Sequence, residues 1–254
     1  MTVTGDETDE GMNAGSSPCL LHELDPDGRP RADPVQARDV ARWRKAERER
    51  LIATRSAFAQ EKRAEHAIAV AQALDQILAG AATLDAPSLD APSLNAQPPN
   101  SPSPTVSVYW PIRGEPDLRP WMRALSLRGL RVALPVAVAL GQALVFREWR
   151  PDARLARGLW GIPHPADGDL VVPSIVIAPL VGFDRECYRL GYGGGFFDRT
   201  LAALSPKPLV IGVGHPSAAL CTIYPQAHDV PMDWIVTGTS PAVRRLGPSM
   251  SGEP

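Results

Sequence analysis

From residue 105 onward, short apolar runs alternate with amphipathic segments, which predicts an α/β fold. The expected architecture is a single three-layer domain with a mostly parallel or mixed sheet flanked by helices. Two further observations point the same way. Residues 174–180 form a nearly continuous apolar run, as expected of a strand covered on both faces. The stretch Gly191-Tyr192-Gly193-Gly194-Gly195 runs directly into Phe197, Leu201 and Leu204 at i, i+4 and i+7, so a glycine-rich loop there feeds a helix.

Taken in order, residues 1–34 are rich in Gly, Ser, Asp and Pro without apolar periodicity and read as a disordered tail. Residues 34–78 are Ala-rich, first charged and then apolar at Ile68, Val70, Leu74, Ile77 and Leu78, and predict one long or two consecutive helices. A tandem Leu-Asp-Ala-Pro-Ser at 84–93 opens a proline cluster ending at Pro104. Prolines at that density exclude helix and central strand, so 81–104 reads as a solvated insertion. Strands are predicted at 105–110, 132–138, 144–149, 174–180, 208–213 and 234–236, with helices at 116–128 and from 196 to about 204. The folded domain is thus expected over 35–240, with a second loose tail at 241–254.

The 254 residues carry a formal net charge of −2, so the bulk basic footprint of a nucleic-acid binder is missing. Cys19, Cys187 and Cys221 have no zinc or disulfide spacing. No apolar run reaches the ~18 residues of a membrane span, and the acidic start lacks a signal-peptide pattern. These features predict a cytoplasmic protein working without nucleic acid or membrane.

The chemistry centres on the glycine loop. Gly191, Gly193, Gly194 and Gly195 let backbone N–H groups approach an anion without an intervening Cβ, and the helix that follows presents unpaired N–H donors. Arg189 and Arg199 bracket the loop. A plain turn would not need those arginines, so phosphate binding is favoured. The loop lacks the Gly-Lys-Ser/Thr of a P-loop, and Phe196 stands at the third glycine of a dinucleotide fingerprint, which disfavours both classes. Asp198, in the first helical turn, suits either the helix dipole or a magnesium ion beside bound phosphates. Arg44, Arg48 and Arg55 at i, i+4 and i+11 fall within about 40° of one helical face, with Lys45 beside them. That stripe is either a solvated face or an anion contact. His215 and His228 lack ligand partners at metal spacing and read as core or surface residues.

Together these pieces resemble the 5-formyltetrahydrofolate cyclo-ligase (methenyltetrahydrofolate synthetase) family. The loop Arg189-Leu190-Gly191-Tyr192-Gly193-Gly194-Gly195-Phe196-Phe197-Asp198-Arg199 is similar to the family signature. Its companions come in family order: the basic-x3-Arg-x6-Arg helix, Trp110 through Glu115-Pro116-Asp117, residues 131–135, the turn 160–165 and residues 228–233. The resemblance implies a NagB/RpiA-like fold and a monomer. It also implies ATP- and Mg²⁺-dependent conversion of 5-formyltetrahydrofolate to 5,10-methenyltetrahydrofolate, releasing ADP and phosphate. Carried over by position, it implies ATP contacts at Arg44, Lys45, Arg48, Arg189, Leu190, Gly191, Tyr192, Gly193, Gly194, Gly195, Phe196 and Phe197. It implies folate contacts at Trp110, Glu115, Tyr192, Gly193, Gly194, Gly195 and Phe196. Asp198 and Asp229 fall at the magnesium carboxylates, and Arg189 and Asp198 at the catalytic positions.

The chain departs from the family pattern at Phe196 and Phe197, usually tyrosines, at Arg44, usually Lys, and at His164, commonly Glu. Losing a hydroxyl bond costs ~0.5–1.5 kcal/mol, a weakening rather than an abolition of activity. A non-catalytic folate- or nucleotide-binding paralogue is the alternative reading. An ATP-dependent enzyme acting on a related small metabolite is a third.

Overall fold

The structure, a computed structural model, describes residues 34–84, 104–239 and 241–245. The tail expected before residue 34, most of the proline-rich insertion and the end of the chain lie outside the described residues.

Two consecutive helices open the described chain, α1 (Pro34–Ser56) and α2 (Gln60–Leu84). Residues 34–40 form the opening turns of α1, and the compact unit that carries everything below begins at Ala41. There follow β1 (Thr105–Ser107), α3 (Arg119–Leu127), β2 (Arg131–Val136), β3 (Val145–Trp149), β4 (Leu155–Arg157), β5 (Pro163–Pro165) and β6 (Leu170–Val171). Then come β7 (Ile175–Pro179), β8 (Gly182–Phe183), β9 (Arg189–Leu190), α4 (Phe196–Ala203), β10 (Leu209–Val213), β11 (Trp234–Val236) and β12 (Val243–Arg244).

The main sheet has eight strands in the order β12-β11-β10-β7-β1-β2-β3-β6. Its centre, β11 to β2, is parallel, and both margins are antiparallel, so the sheet is mixed as expected. Side-chain alternation along each strand divides the core in two. Val132 and Leu134 of β2, Ile177 of β7 and Ile211 and Val213 of β10 face α2 and α3 through Val70, Leu74, Trp121, Met122 and Leu125. Their neighbours Ala133, Val176, Ala178 and Val210 face the other way, against Leu201 of α4. The result is three layers, helix, sheet and helix, because strands apolar on both faces must be covered on both.

Several boundaries differ from expectation. α3 starts at Arg119 rather than 116, with Pro120 in its first turn where a missing N–H costs nothing. α2 continues through Leu84, into the segment expected to be insertion. In the segment expected to be tail, β12 pairs with β11. The two-stranded ribbons β4-β5 and β8-β9 were not foreseen, since two or three residues carry no readable periodicity. Among the described residues no helix is long and apolar enough to cross a membrane.

Candidate active site

The chain runs from β1 rightward to β2 and later returns to the left of β1 with β7, so strand order reverses beside β1. In such sheets the carboxyl ends of the strands open a crevice at the reversal. A cavity of about 410 Å³ lies there, lined by Tyr109 and Trp110 after β1, residues 134–137 at the end of β2, and Pro179 closing β7.

One wall is the glycine loop. β9 delivers Arg189 and the buried Leu190, and α4 begins at Phe196. Gly195 caps the helix at φ 64° without a side-chain hydrogen bond, and Gly193 sits at φ 95°, a conformation that L side chains rarely adopt. The first turn of α4, Phe196 to Asp198, lines the cavity and carries no side-chain cap. Arg199 folds back so that its Nη2 donates to the carbonyl of Gly194 (2.5 Å), and its guanidinium covers the ring of Phe196. Arg199 therefore braces the loop from outside.

Arg189 is buried under this loop. Its Nη2 donates to Asp198 Oδ2 (2.9 Å), its guanidinium lies over the ring of Phe197, and its Nε has no protein partner. Burial lowers its pKa, and Asp198 and Asp229 oppose that shift. A buried cation with an unspent donor is suited to an anionic ligand. Asp198 is held by that pair and by the Val230 N–H (3.4 Å), which joins the start of α4 to the turn carrying Asp229.

The α1 arginines enter from the other side. Arg44 is buried, donates to Asp229 Oδ2 (2.5 Å) and Oδ1 (3.4 Å), and spends further N–H groups on the carbonyls of Ile223 and Tyr224. Asp229 also accepts from the Gln226 N–H (2.7 Å), closing its own turn. Arg44 thus anchors that turn while lining the cavity. Arg48 donates from Nε to the carbonyl of Gly191 (2.7 Å) and packs under Gly193. Burial lowers its pKa first, then the neighbouring Arg44.

Lys45 does not join them. About 100° further round the helix, it is exposed and lines a separate recess of about 210 Å³ with Arg48, Glu49, Ile52, Arg113 and Tyr192. It is not among the residues that line the larger cavity, although Arg48, Arg113 and Tyr192 line both.

The opposite wall holds Trp110, Glu115 and the rim residue Trp160. The Arg119 guanidinium covers Trp110. Glu115 is 6% exposed; its Oε2 accepts the Ile112 N–H (2.8 Å) and its Oε1 the Tyr192 hydroxyl (2.7 Å). Burial raises its pKa to about 7, against the pull of those bonds and of Arg55 and Arg113. Trp160, at φ 56°, meets Phe196 edge-on at 5.4 Å between ring centres. His164 lines the same wall, its Nδ1 at 2.9 Å from the carbonyl of Pro165.

Arg55, expected only as part of the basic stripe of α1, stands seven residues after Arg48 and is buried in contact with both Tyr192 and Glu115. His215 lies away from the cavity, stacked between Phe58 and His66, and the exposed His228 approaches Asp229 at 3.8 Å. Both agree with their reading as core and surface residues. No group of three or more His, Cys, Asp or Glu able to hold a metal occurs among the described residues.

The topology and the charge arrangement around this cavity define an α/β protein with a small-molecule site at its strand ends, suited to an anionic ligand. Known proteins narrow that class. Residues 91–238, more than half of the chain, match the model of the 5-formyltetrahydrofolate cyclo-ligase family. The 5-formyltetrahydrofolate cyclo-ligase of Escherichia coli (strain K12) is 34% identical over 140 residues, covering 52% of this chain and 77% of that protein. The protein of the same name from Mycolicibacterium smegmatis is 32% identical over 142 residues, covering 52% and 73%. The NMR structure of Aquifex aeolicus 5,10-methenyltetrahydrofolate synthetase superposes with a TM-score of 0.62 at 27% identity, covering 82% of this chain and 96% of that one. The chain belongs to the 5-formyltetrahydrofolate cyclo-ligase family.

Proposed function

We propose that the chain converts 5-formyltetrahydrofolate to 5,10-methenyltetrahydrofolate with consumption of ATP and release of ADP and phosphate. One observation carries this reading: a single cavity is lined both by anion-suited groups (Arg189, Arg48, the start of α4) and by an aromatic ring and a carboxylate (Trp110, Glu115). A triphosphate fits the first set and a flat heterocycle with N–H donors the second.

On this reading the formyl oxygen of the bound folate attacks the γ-phosphorus of ATP, the bond to ADP breaks, and an imidate-like phosphate forms. N10 then attacks the activated carbon, and phosphate leaves with the oxygen. The amide oxygen is a poor leaving group until it carries phosphate, which accounts for the need for ATP. The protein's part is to align the reactants and neutralise charge. Arg189 would supply its buried positive charge beside the transferring phosphoryl group, and the N-terminus of α4 would bind the remaining phosphate oxygens.

Magnesium is compatible with the donor set. Asp198 and Asp229 both line the cavity, too few to hold a metal without the nucleotide, and Mg²⁺ characteristically takes one or two carboxylates plus phosphate oxygens. When bound it would shield the charge of the triphosphate. Each carboxylate already has an arginine neighbour that orients it.

The direct test supplies purified protein with 5-formyltetrahydrofolate, ATP and Mg²⁺. Methenyltetrahydrofolate should accumulate only when ATP is present, with ADP formed in equal amount. Tight folate binding without turnover would establish the non-catalytic reading instead.

A further inference from the structure

Behind the cavity lining, the buried Arg55 joins Glu115 and Tyr192 in one cluster. Arg55 of α1, Glu115 and Tyr192 of the glycine loop meet in one place, although 137 residues of chain separate Arg55 from Tyr192. Arg55 is 3% exposed, and its other donors are tied down, Nε to the carbonyl of Arg113 (2.8 Å) and Nη1 to that of Leu180 (3.2 Å). Its remaining Nη2 donates to the Tyr192 hydroxyl and stands 3.7 Å from Glu115 Oε1. The Tyr192 hydroxyl in turn donates to that same oxygen (2.7 Å). Glu115 therefore has one protein donor on each oxygen, leaving acceptor capacity on both for a ligand.

We propose that Arg55 and Tyr192 are positioning residues, a fixed cation and a loop-borne hydroxyl that together aim the Glu115 carboxylate at the heterocyclic edge of the substrate. Tyr192 belongs to the glycine loop, so the loop carries part of the frame that holds Glu115. That positioning role rests on the cavity being the folate and nucleotide site proposed above.

The chemistry supports the arrangement. Recognition of N–H donors needs an ionised carboxylate, and burial opposes that ionisation. The charged and titratable groups around Glu115 are Arg55 from α1, Tyr192 from the loop, and Arg113, Tyr109 and Asp117 from its own segment. His215 reaches the neighbouring carbonyl of Gly114 (3.3 Å). Of these, Arg55, Arg113 and Tyr192 favour the charged carboxylate. Burial and the nearby Glu115 push the Tyr192 hydroxyl well above its usual pKa, so it remains a donor throughout the working range.

The experiment compares wild type with Tyr192→Phe, which keeps the ring that Arg55 and Arg113 cover and removes only the hydroxyl. KM for the folate should rise about 3- to 10-fold with KM for ATP within about twofold, and the pH midpoint of folate KM should move up by about half to one unit. An unchanged midpoint and an unchanged folate KM would overturn the proposal. So would an equal rise in both KM values, which would mean a merely structural loop defect. A second measurement does not need turnover: titration of ¹³C-labelled glutamate side chains by NMR, with Glu115 assigned by loss of its signal in Glu115→Gln. Tyr192→Phe should raise that midpoint, as should Arg55→Lys if it folds. Lack of wild-type turnover would refute the proposed function, while the NMR midpoint would still decide the role of Arg55 and Tyr192.

Discussion

Arg189 and Asp198 hold each other at 2.9 Å with little solvent on either side chain, and the arginine keeps its Nε free. Replacing Asp198 by Asn keeps an acceptor for the guanidinium but removes the charge that offsets it and that a phosphate-bound cation would use. Charge-assisted bonds contribute about 1.5–3 kcal/mol, so turnover should fall roughly 10- to 100-fold, measured as kcat with thermal unfolding followed in parallel. Undiminished turnover in the Asn variant would remove Asp198 from the chemistry. At the same scale Phe196 and Phe197, where hydroxyls are usual, have found apolar uses. One packs edge-on against Trp160 and the other beneath Arg189. Their aromatic contacts were not readable from the sequence, because the partners are remote along the chain.

At the scale of elements, α2 adds no residue to the cavity lining but closes one face of the sheet. Val70 and Leu74 are fully buried against Ile211, Val213 and Val236. Leu74→Ala should therefore cost about 2–5 kcal/mol, from lost transfer energy and the cavity left behind. The urea midpoint should fall with the slope nearly unchanged. A loss under 1 kcal/mol would mean that α2 only drapes over the core. The apolar periodicity of α2 was legible, as were β2, β7 and β10, since runs of five or more apolar residues carry their own pattern. The ribbons β4-β5 and β8-β9 were not, although they aim Trp160 and Arg189, because their formation depends on pairing rather than propensity.

At the scale of the whole molecule, His66 and His215 tie distant segments together. His66 donates to the carbonyl of Thr237 (2.6 Å), His215 approaches that of Gly114, and the rings stack with centres 4.1 Å apart. Burial lowers both pKa values, and the neighbouring His66 and Arg55 help push His215 to about 4. A histidine whose folded pKa is depressed binds its proton more readily when unfolded. Its stabilising contribution is therefore present above its ordinary pKa near 6.5 and is lost progressively as pH falls toward about 4. Wild type should lose on the order of 2 kcal/mol across that window from this source. His215→Phe, which preserves the stack, should show a shallower decline in urea midpoint between pH 6.5 and 4. Parallel declines would exclude the histidine pair as the cause.

The sequence by itself determined the α/β class, the glycine loop feeding a helix, and the group of residues that resembles the cyclo-ligase signature. These are local properties: glycine's backbone freedom, apolar periodicity, and charges at fixed spacing. Only the tertiary structure decided that Arg44 is spent on Asp229 and two carbonyls, that Lys45 lines a separate recess, and that Arg55 meets Tyr192 beside Glu115. Charged side chains of one helix are equivalent in sequence. They become different once burial removes water from some of them, because a desolvated charge must find partners wherever the fold has placed them.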